Sequence, residues 1–212
     1  MEEVLQKLYN AVLEGDFDGV KTNVPAALEA GLDPNVVLNE GMIAAMREVG
    51  ARFEAGDYYV PEMLIAARAM QSGMTLLKPH LQKSDQKSNG RVLIGTVKGD
   101  LHDIGKNLVG LMLEGAGYEI IDLGVDVPAE EFVKKATELK PDVVGMSALL
   151  TTTMQSMRTT LDALTAAGLR NHIKVIIGGA PVTEAFAQQI EADGFSPDAS
   201  RAVNLVNELL GK

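Results

Sequence analysis

The chain has 212 residues, 46% of them hydrophobic and 23% charged, which is enough for one large domain or two small ones with ordinary cores. It contains no cysteine, which excludes disulfides, thiolate nucleophiles and iron–sulfur or cysteine-bound zinc sites. Its formal net charge of -10 argues against a nucleic-acid partner, no apolar run approaches a membrane span, and the acidic, amphipathic start Met1-Glu-Glu-Val-Leu-Gln-Lys7 does not read as a signal peptide.

Before Ser84 the apolar residues recur at helical spacing: Val4, Leu8 and Val12; Ala26, Ala27 and Ala30; Val36, Val37, Met42, Ile43, Met46, Val49 and Phe53; then Met63, Leu64, Ala67, Met70, Met74 and Leu77. This spacing predicts a small four-helix bundle with breaks at Gly15-Asp16, Gly31-Leu-Asp-Pro34 and Gly56-Asp57. Asp33-Pro34 reads as an N-cap followed by proline at the first helical position. Met42, Met46, Met63, Met70 and Met74 read as bundle core, because methionine fills irregular gaps between helices. The polar run Ser84-Asp-Gln-Lys-Ser-Asn-Gly90 reads as a flexible linker, which sets domains of 1–88 and 89–212.

Beyond the linker, short continuous apolar runs alternate with amphipathic segments, the pattern of a parallel sheet covered on both faces. Strands are expected at Val92 to Val97, Glu119 to Leu123, Val143 to Ser147 and Val175 to Ile177, with a weak fifth near Phe195. Helices are expected at Ile104 to Ala116, Ala129 to Leu139, Thr153 to Ala167, Thr183 to Ala192 and Ala199 to Leu210. The fold class is therefore α/β, a helical bundle followed by a doubly wound, Rossmann-like or flavodoxin-like parallel sheet. Such sheets bind ligands outside the carboxyl ends of their strands, where His102, Ser147 and Gly178-Gly179 all fall.

The first of those ends, Lys98-Gly-Asp-Leu-His-Asp-Ile-Gly-Lys106, carries the chemistry. Asp100 is spaced to orient the ring of His102 while the other ring nitrogen points outward to a ligand or metal, and Gly105 leaves room for a bulky group against the turn. Phosphate-binding alternatives fit poorly. The run from Gly99 to Gly105-Lys106 has one residue too many for a Walker loop, and Asn107 stands where Ser or Thr would hold magnesium. No G-x-G-x-x-G follows the first strand, and no zincin helix is present. His80, after Pro79 at a helix end, and His172, in a polar loop, read as structural or exposed, and Glu130-Glu131 reads as charge complementing a helix N-terminus.

Asp100-x-His102-x-x-Gly105, then Ser147-x-Leu149, then Gly178-Gly179 resembles the three-part signature of cobalamin-binding domains in methionine synthase and in the corrinoid proteins of methyltransferase systems. The helical half is similar to the cap module that precedes such domains, through Phe53-Glu-Ala-Gly-Asp-Tyr-Tyr-Val60-Pro-Glu-Met63 and Ala66-Ala67-Arg68-Ala69-Met70. The resemblance covers nearly the whole chain.

It implies cobalamin as cofactor, held base-off, with His102 replacing the cofactor's own base as the lower axial ligand of cobalt and the displaced nucleotide tail threaded beside the sheet. Asp100 would hold the opposite ring nitrogen and Thr153, where the family often has Ser, would complete a relay with His102. Ser147 and Leu149 would line the tail pocket, Gly178 and Gly179 would keep its wall free of side chains, and Ala199 would be small for a similar reason. Asp103, Ile104, Gly105 and Thr151 complete the expected contacts, with Phe53, Val60 and Met63 of the cap over the upper face. The implied function is a methyl-carrier subunit, loaded as methylcobalamin, that shuttles between a substrate-specific methyltransferase and an acceptor methyltransferase serving tetrahydrofolate or a thiol such as coenzyme M. A reductive activase is a further expected partner, nucleic acid and membrane are not, and the expected location is the cytoplasm. Two other classes share the turn: a cobalamin-dependent sensor or regulator, for which no basic DNA-binding module is visible, and the small subunit of an adenosylcobalamin-dependent mutase.

Overall fold

The computed structural model describes residues 3–81 and 88–212, so Ser84 to Lys87 of the expected linker lie outside the described residues. The chain forms two compact units, the first made mostly of residues up to Ser88 and the second mostly of residues from Asn89 onward.

The first unit is helical. It comprises α1 (Glu3–Leu13), α2 (Phe17–Glu29), a rod built from α3 (Pro34–Val36), a π-helical stretch (Val37–Ile43) and α4 (Ala44–Ala55), and then α5 (Val60–Leu81). The breaks fall where local chemistry places them. Asp16 caps α2 by accepting from the Gly19 N–H at 2.9 Å, and Asp33 caps α3 by accepting from the Asn35 N–H at 2.8 Å with Pro34 at the first helical position. Leu8, Met42, Ile43, Met46, Met63, Met70 and Leu77 fill the core of this unit, as the methionine pattern predicts, while Met74 of that pattern is only partly buried. One detail departs from the expected regular helices. The third rod widens into a π-turn at Val37–Ile43, where Val37 and Met42, five positions apart, are both buried. α5 runs past Pro79 to Leu81, which leaves His80 at a helix end as expected.

The second unit is a parallel sheet with helices between its strands: β1 (Arg91–Thr96), α6 (Ile104–Gly115), β2 (Glu119–Asp122), α7 (Ala129–Leu139), β3 (Val143–Ser147), α8 (Met154–Ala166), β4 (Lys174–Gly178), α9 (Glu184–Ile190), β5 (Gly194–Ser196) and α10 (Ala199–Leu209). The strand order β2-β1-β3-β4-β5 is the flavodoxin-like variant of the doubly wound sheet, with its switch point between β1 and β3. Apolar strand residues are buried on both faces. Leu93, Val144, Met146, Val175 and Ile177 pack with Phe132, Leu161 and Leu164 of α7 and α8. On the opposite face Ile94 lies under Gly110 of α6. The expected strands and helices all form. The ends differ by one or two residues, as when Val97 leaves β1 and pairs singly with Val127. Register aligns Thr96, Ser147, Gly178 and Ser196 in one row of small residues across the carboxyl edge of the sheet.

Candidate cofactor site

The turn after β1 is held by its backbone before any side chain acts. Gly99 has φ 87° and its N–H donates to the Asp126 carboxylate at 2.7 Å, while the Asp100 N–H donates to the Val97 carbonyl at 3.1 Å. From the last residue of β1, the buried Thr96 hydroxyl donates to the carbonyl of His102 at 2.9 Å. These bonds deliver Asp100 beneath the turn, fully buried, and leave His102 at its surface with the side chain 51% exposed.

Asp100 is the electrostatic centre of the site. Its Oδ1 accepts from the His102 N–H at 3.1 Å and from His102 Nδ1 at 2.7 Å. Its Oδ2 accepts from the N–H groups of Leu149 at 2.8 Å and Leu150 at 3.2 Å and from the Thr153 hydroxyl at 2.6 Å. Three of the five partners are backbone N–H groups that can only donate, and an ionised carboxylate can accept from all five at once. Burial by itself raises the pKa of Asp100, but hydrogen bonds from Thr153, His102 and the backbone of Leu149 and His102 outweigh it and hold the carboxyl well below the ordinary carboxylate range. An ionised Asp100 requires the proton on Nδ1 of His102, so in the neutral imidazole Nε2 is the nitrogen that carries the lone pair. Nε2 has no partner among the described residues. Thr153, at the N-cap of α8, makes no cap bond with its hydroxyl, which lies within hydrogen-bonding distance of Asp100 and, at 2.8 Å, of the Leu150 carbonyl.

Around His102 the surface is apolar where water would favour polar groups. Leu101 is 71% and Ile104 80% exposed, and Val125, Leu149 and Leu150 are also substantially exposed. A Cβ added to Gly105 would meet nothing within 4 Å, so this glycine keeps an open face. Among the described residues no group of three His, Asp or Glu side chains is placed to hold a metal ion, so a metal reaching Nε2 has to bring its other ligands with it. A free imidazole nitrogen, an open glycine and exposed aliphatic side chains fit the flat, largely apolar face of a metal macrocycle.

The structure brings Asp100, His102, Leu149 and Thr153 into direct hydrogen-bonded contact and sets Asp103, Ile104 and Gly105 immediately after them at the start of α6. Ser147 and Gly178 are register partners at the sheet edge, and Thr151 is exposed on the loop after β3. Gly179 has a structural reason to be glycine: its φ is 130°, and a Cβ there would lie 1.9 Å from the carbonyl oxygen of Ala148. Ala199 is buried in the first turn of α10. Phe53, Val60 and Met63 belong to the helical unit, where Phe53 is half-buried, Val60 exposed and Met63 fully buried. Sequence reasoning missed Thr96, Asp126, Leu101 and Leu150. Asp126 carried a weak signal, since aspartate between valines in a loop tolerates the left-handed conformation it adopts.

Comparison with known proteins identifies the family. Residues 90–204 match the family described as B12 binding domain, and residues 4–78 match a second family of the same description. Trimethylamine corrinoid protein 1 of Methanosarcina acetivorans is 42% identical over 211 residues, covering 99% of this chain and 98% of that protein. The crystal structure of a cobalamin-binding protein from Desulfitobacterium hafniense matches with a TM-score of 0.80 and 38% identity, covering 97% of this chain and 98% of the other. A chain of the methanol:cobalamin methyltransferase complex from Methanosarcina barkeri matches with a TM-score of 0.90 and 31% identity, covering 100% of this chain and 81% of the other. This chain belongs to the corrinoid proteins of the B12 binding domain family.

Proposed function

We propose that the chain carries a methyl group on bound cobalamin between two methyltransferases, one taking it from a small donor and one passing it to tetrahydrofolate or a thiol such as coenzyme M. One similar protein is named for trimethylamine and another belongs to a methanol system, which supports a common carrier whose donor is chosen by the partner enzyme. The observation that carries the reading is the ionised, five-donor Asp100 that holds the Nδ1 proton of His102 and leaves Nε2 free at the switch point of the sheet.

Cobalamin, when bound, supplies a cobalt ion that takes up, holds and gives up the methyl group. His102 would hold the cobalamin through Nε2, and Asp100 would hold the Nδ1 proton and stabilise positive charge on the ring. Thr153 and the amides of Leu149 and Leu150 keep Asp100 ionised and in place. Leu101, Ile104, Leu149 and Leu150, with Asp103 and Gly105 beside them in sequence, would hold the corrinoid, and Ser147, Thr151, Gly178, Gly179 and Ala199 would hold its nucleotide tail. The helical unit, residues 1–88, is the cap, and of its three expected contact positions Phe53 and Val60 have side-chain surface to offer whereas Met63 is fully buried. Among the described residues no helix is long and apolar enough to cross a membrane, and we place the protein in the cytoplasm.

The test is to load the protein with methylcobalamin, pass it through gel filtration and measure demethylation with and without a methyltransferase of the methylamine or methanol type. Retained cofactor and transfer that depends on the added enzyme are expected. DNA binding that ignores the methyl group, or isomerase chemistry with adenosylcobalamin, would overturn the assignment.

A further inference from the structure

We propose that Asp126, in the β2–α7 connection, is a positioning residue that fixes the backbone of the His102 turn; the proposal rests on the reading of that turn as the seat of the corrinoid.

Asp126 has φ 53°, and of the non-glycine residues with positive φ among those described, Lys140 and Glu191 sit at helix C-caps, where this conformation is ordinary. Asp126 caps no helix. Its N–H and its carboxylate face the turn instead: the N–H donates to the carbonyl of Asp100 at 2.9 Å, and Oδ1 accepts from the N–H of Gly99 at 2.7 Å. The residues beside it extend the grip. Val127 N–H donates to the Thr96 carbonyl at 3.0 Å and the Gly124 carbonyl accepts from Thr96 N–H at 2.9 Å, while Thr96 itself holds the His102 carbonyl. Asp122, whose Oδ1 accepts from the Gly124 N–H at 2.8 Å, also pairs with the buried ammonium of Lys106 in the first turn of α6. Asp100 is thus held twice. The β3–α8 connection takes its carboxylate and the β2–α7 connection takes its backbone. An unfavourable conformation spent wholly on contacts with the turn marks a residue that sets where the imidazole stands.

Three substitutions separate the side chain from the backbone conformation. Asp126→Asn keeps the acceptor and tolerates positive φ, Asp126→Gly loses the acceptor but relieves the strain, and Asp126→Ala loses the acceptor and keeps the strain. In the cofactor-free protein, amide exchange at Gly99 is expected to accelerate about tenfold or more in the Gly and Ala variants, and to stay within about threefold of wild type in Asp126→Asn. In the cobalt(II) holoprotein, the fraction of paramagnetic signal split by a protein nitrogen is expected to fall in Asp126→Gly and to recover in Asp126→Asn. A merely stabilising residue would lower the melting temperature and leave that fraction unchanged. Should Asp126→Ala fail to fold, Asp126→Gly carries the test. Wild-type nitrogen splitting in the Gly variant, or unchanged Gly99 exchange, overturns the proposal. If wild type itself lacks the splitting, the ligation reading fails separately, and the exchange of the Gly99 and His102 amides alone decides the role of Asp126.

Discussion

At the amino ends of the strands charge is cancelled where it arises. Arg170 meets Asp193 at 2.6 Å, Asp193 also accepts from the Val175 N–H at 2.7 Å, Arg91 pairs with Glu119 at 2.9 Å, and Asp142 accepts from the Arg91 N–H at 2.7 Å. At the carboxyl ends one buried carboxylate gathers five donors, a histidine nitrogen is left unused, and large aliphatic side chains stand in water. The first arrangement secures strand starts. The second leaves apolar surface exposed and an imidazole nitrogen without a partner among the described residues, which stabilises the apoprotein little and would become favourable when a ligand covers it.

Substitutions can break or sharpen this contrast. The largest effect is expected from Gly179→Ala, since the new Cβ would collide with the Ala148 carbonyl at 1.9 Å in a backbone conformation that alanine avoids. A loss of about 4 kcal/mol or more, or failure to fold, should appear in denaturant titration. Asp100→Asn comes next. Whichever way the amide turns, its NH2 group faces donors, so about 1–3 kcal/mol should be lost at neutral pH. The pH dependence follows from the lowered pKa. Stability contributed by Asp100 is complete above the ordinary 3.8 and is lost as pH falls below it, so the gap between wild type and variant should narrow in acid. Arg170→Ala should cost about 1–2 kcal/mol of stability, because it removes bonds to Asp193 and to the Glu191 carbonyl, yet leave cobalamin retention on gel filtration unchanged. Gly105→Ala should alter apoprotein stability least, by less than about 1 kcal/mol and in the favourable direction for a helix position, while weakening cobalamin retention. Equal retention in wild type and Gly105→Ala would remove the reason given for an open face there.

Much of this contrast was legible in the chain. The strands announce themselves because a sheet buried on both faces needs unbroken apolar runs, and Asp100, His102 and Gly105 stand out because they follow such a run directly. Ser147 and Gly178 could be placed at strand ends for the same reason. Other features carry no side-chain signature. The amides of Leu149 and Leu150 that complete the Asp100 shell are backbone groups available at any residue, and Thr96 reads as one more strand residue until its hydroxyl finds the His102 carbonyl. Gly179 suggested room for a ligand, whereas the approach of Ala148 already demands glycine. The π-turn was half visible, in the five-residue step from Val37 to Met42, but a regular period absorbs one irregular step without contradiction.

The central claim is that Nε2 of His102 is the free nitrogen toward which the carboxyl end is organised. Paramagnetic resonance of the cobalt(II) holoprotein, made with ordinary and with isotope-labelled histidine, tests it most directly. The account predicts nitrogen splitting that changes with the label and disappears in His102→Ala; splitting that ignores the label, or persists in that variant, would contradict it.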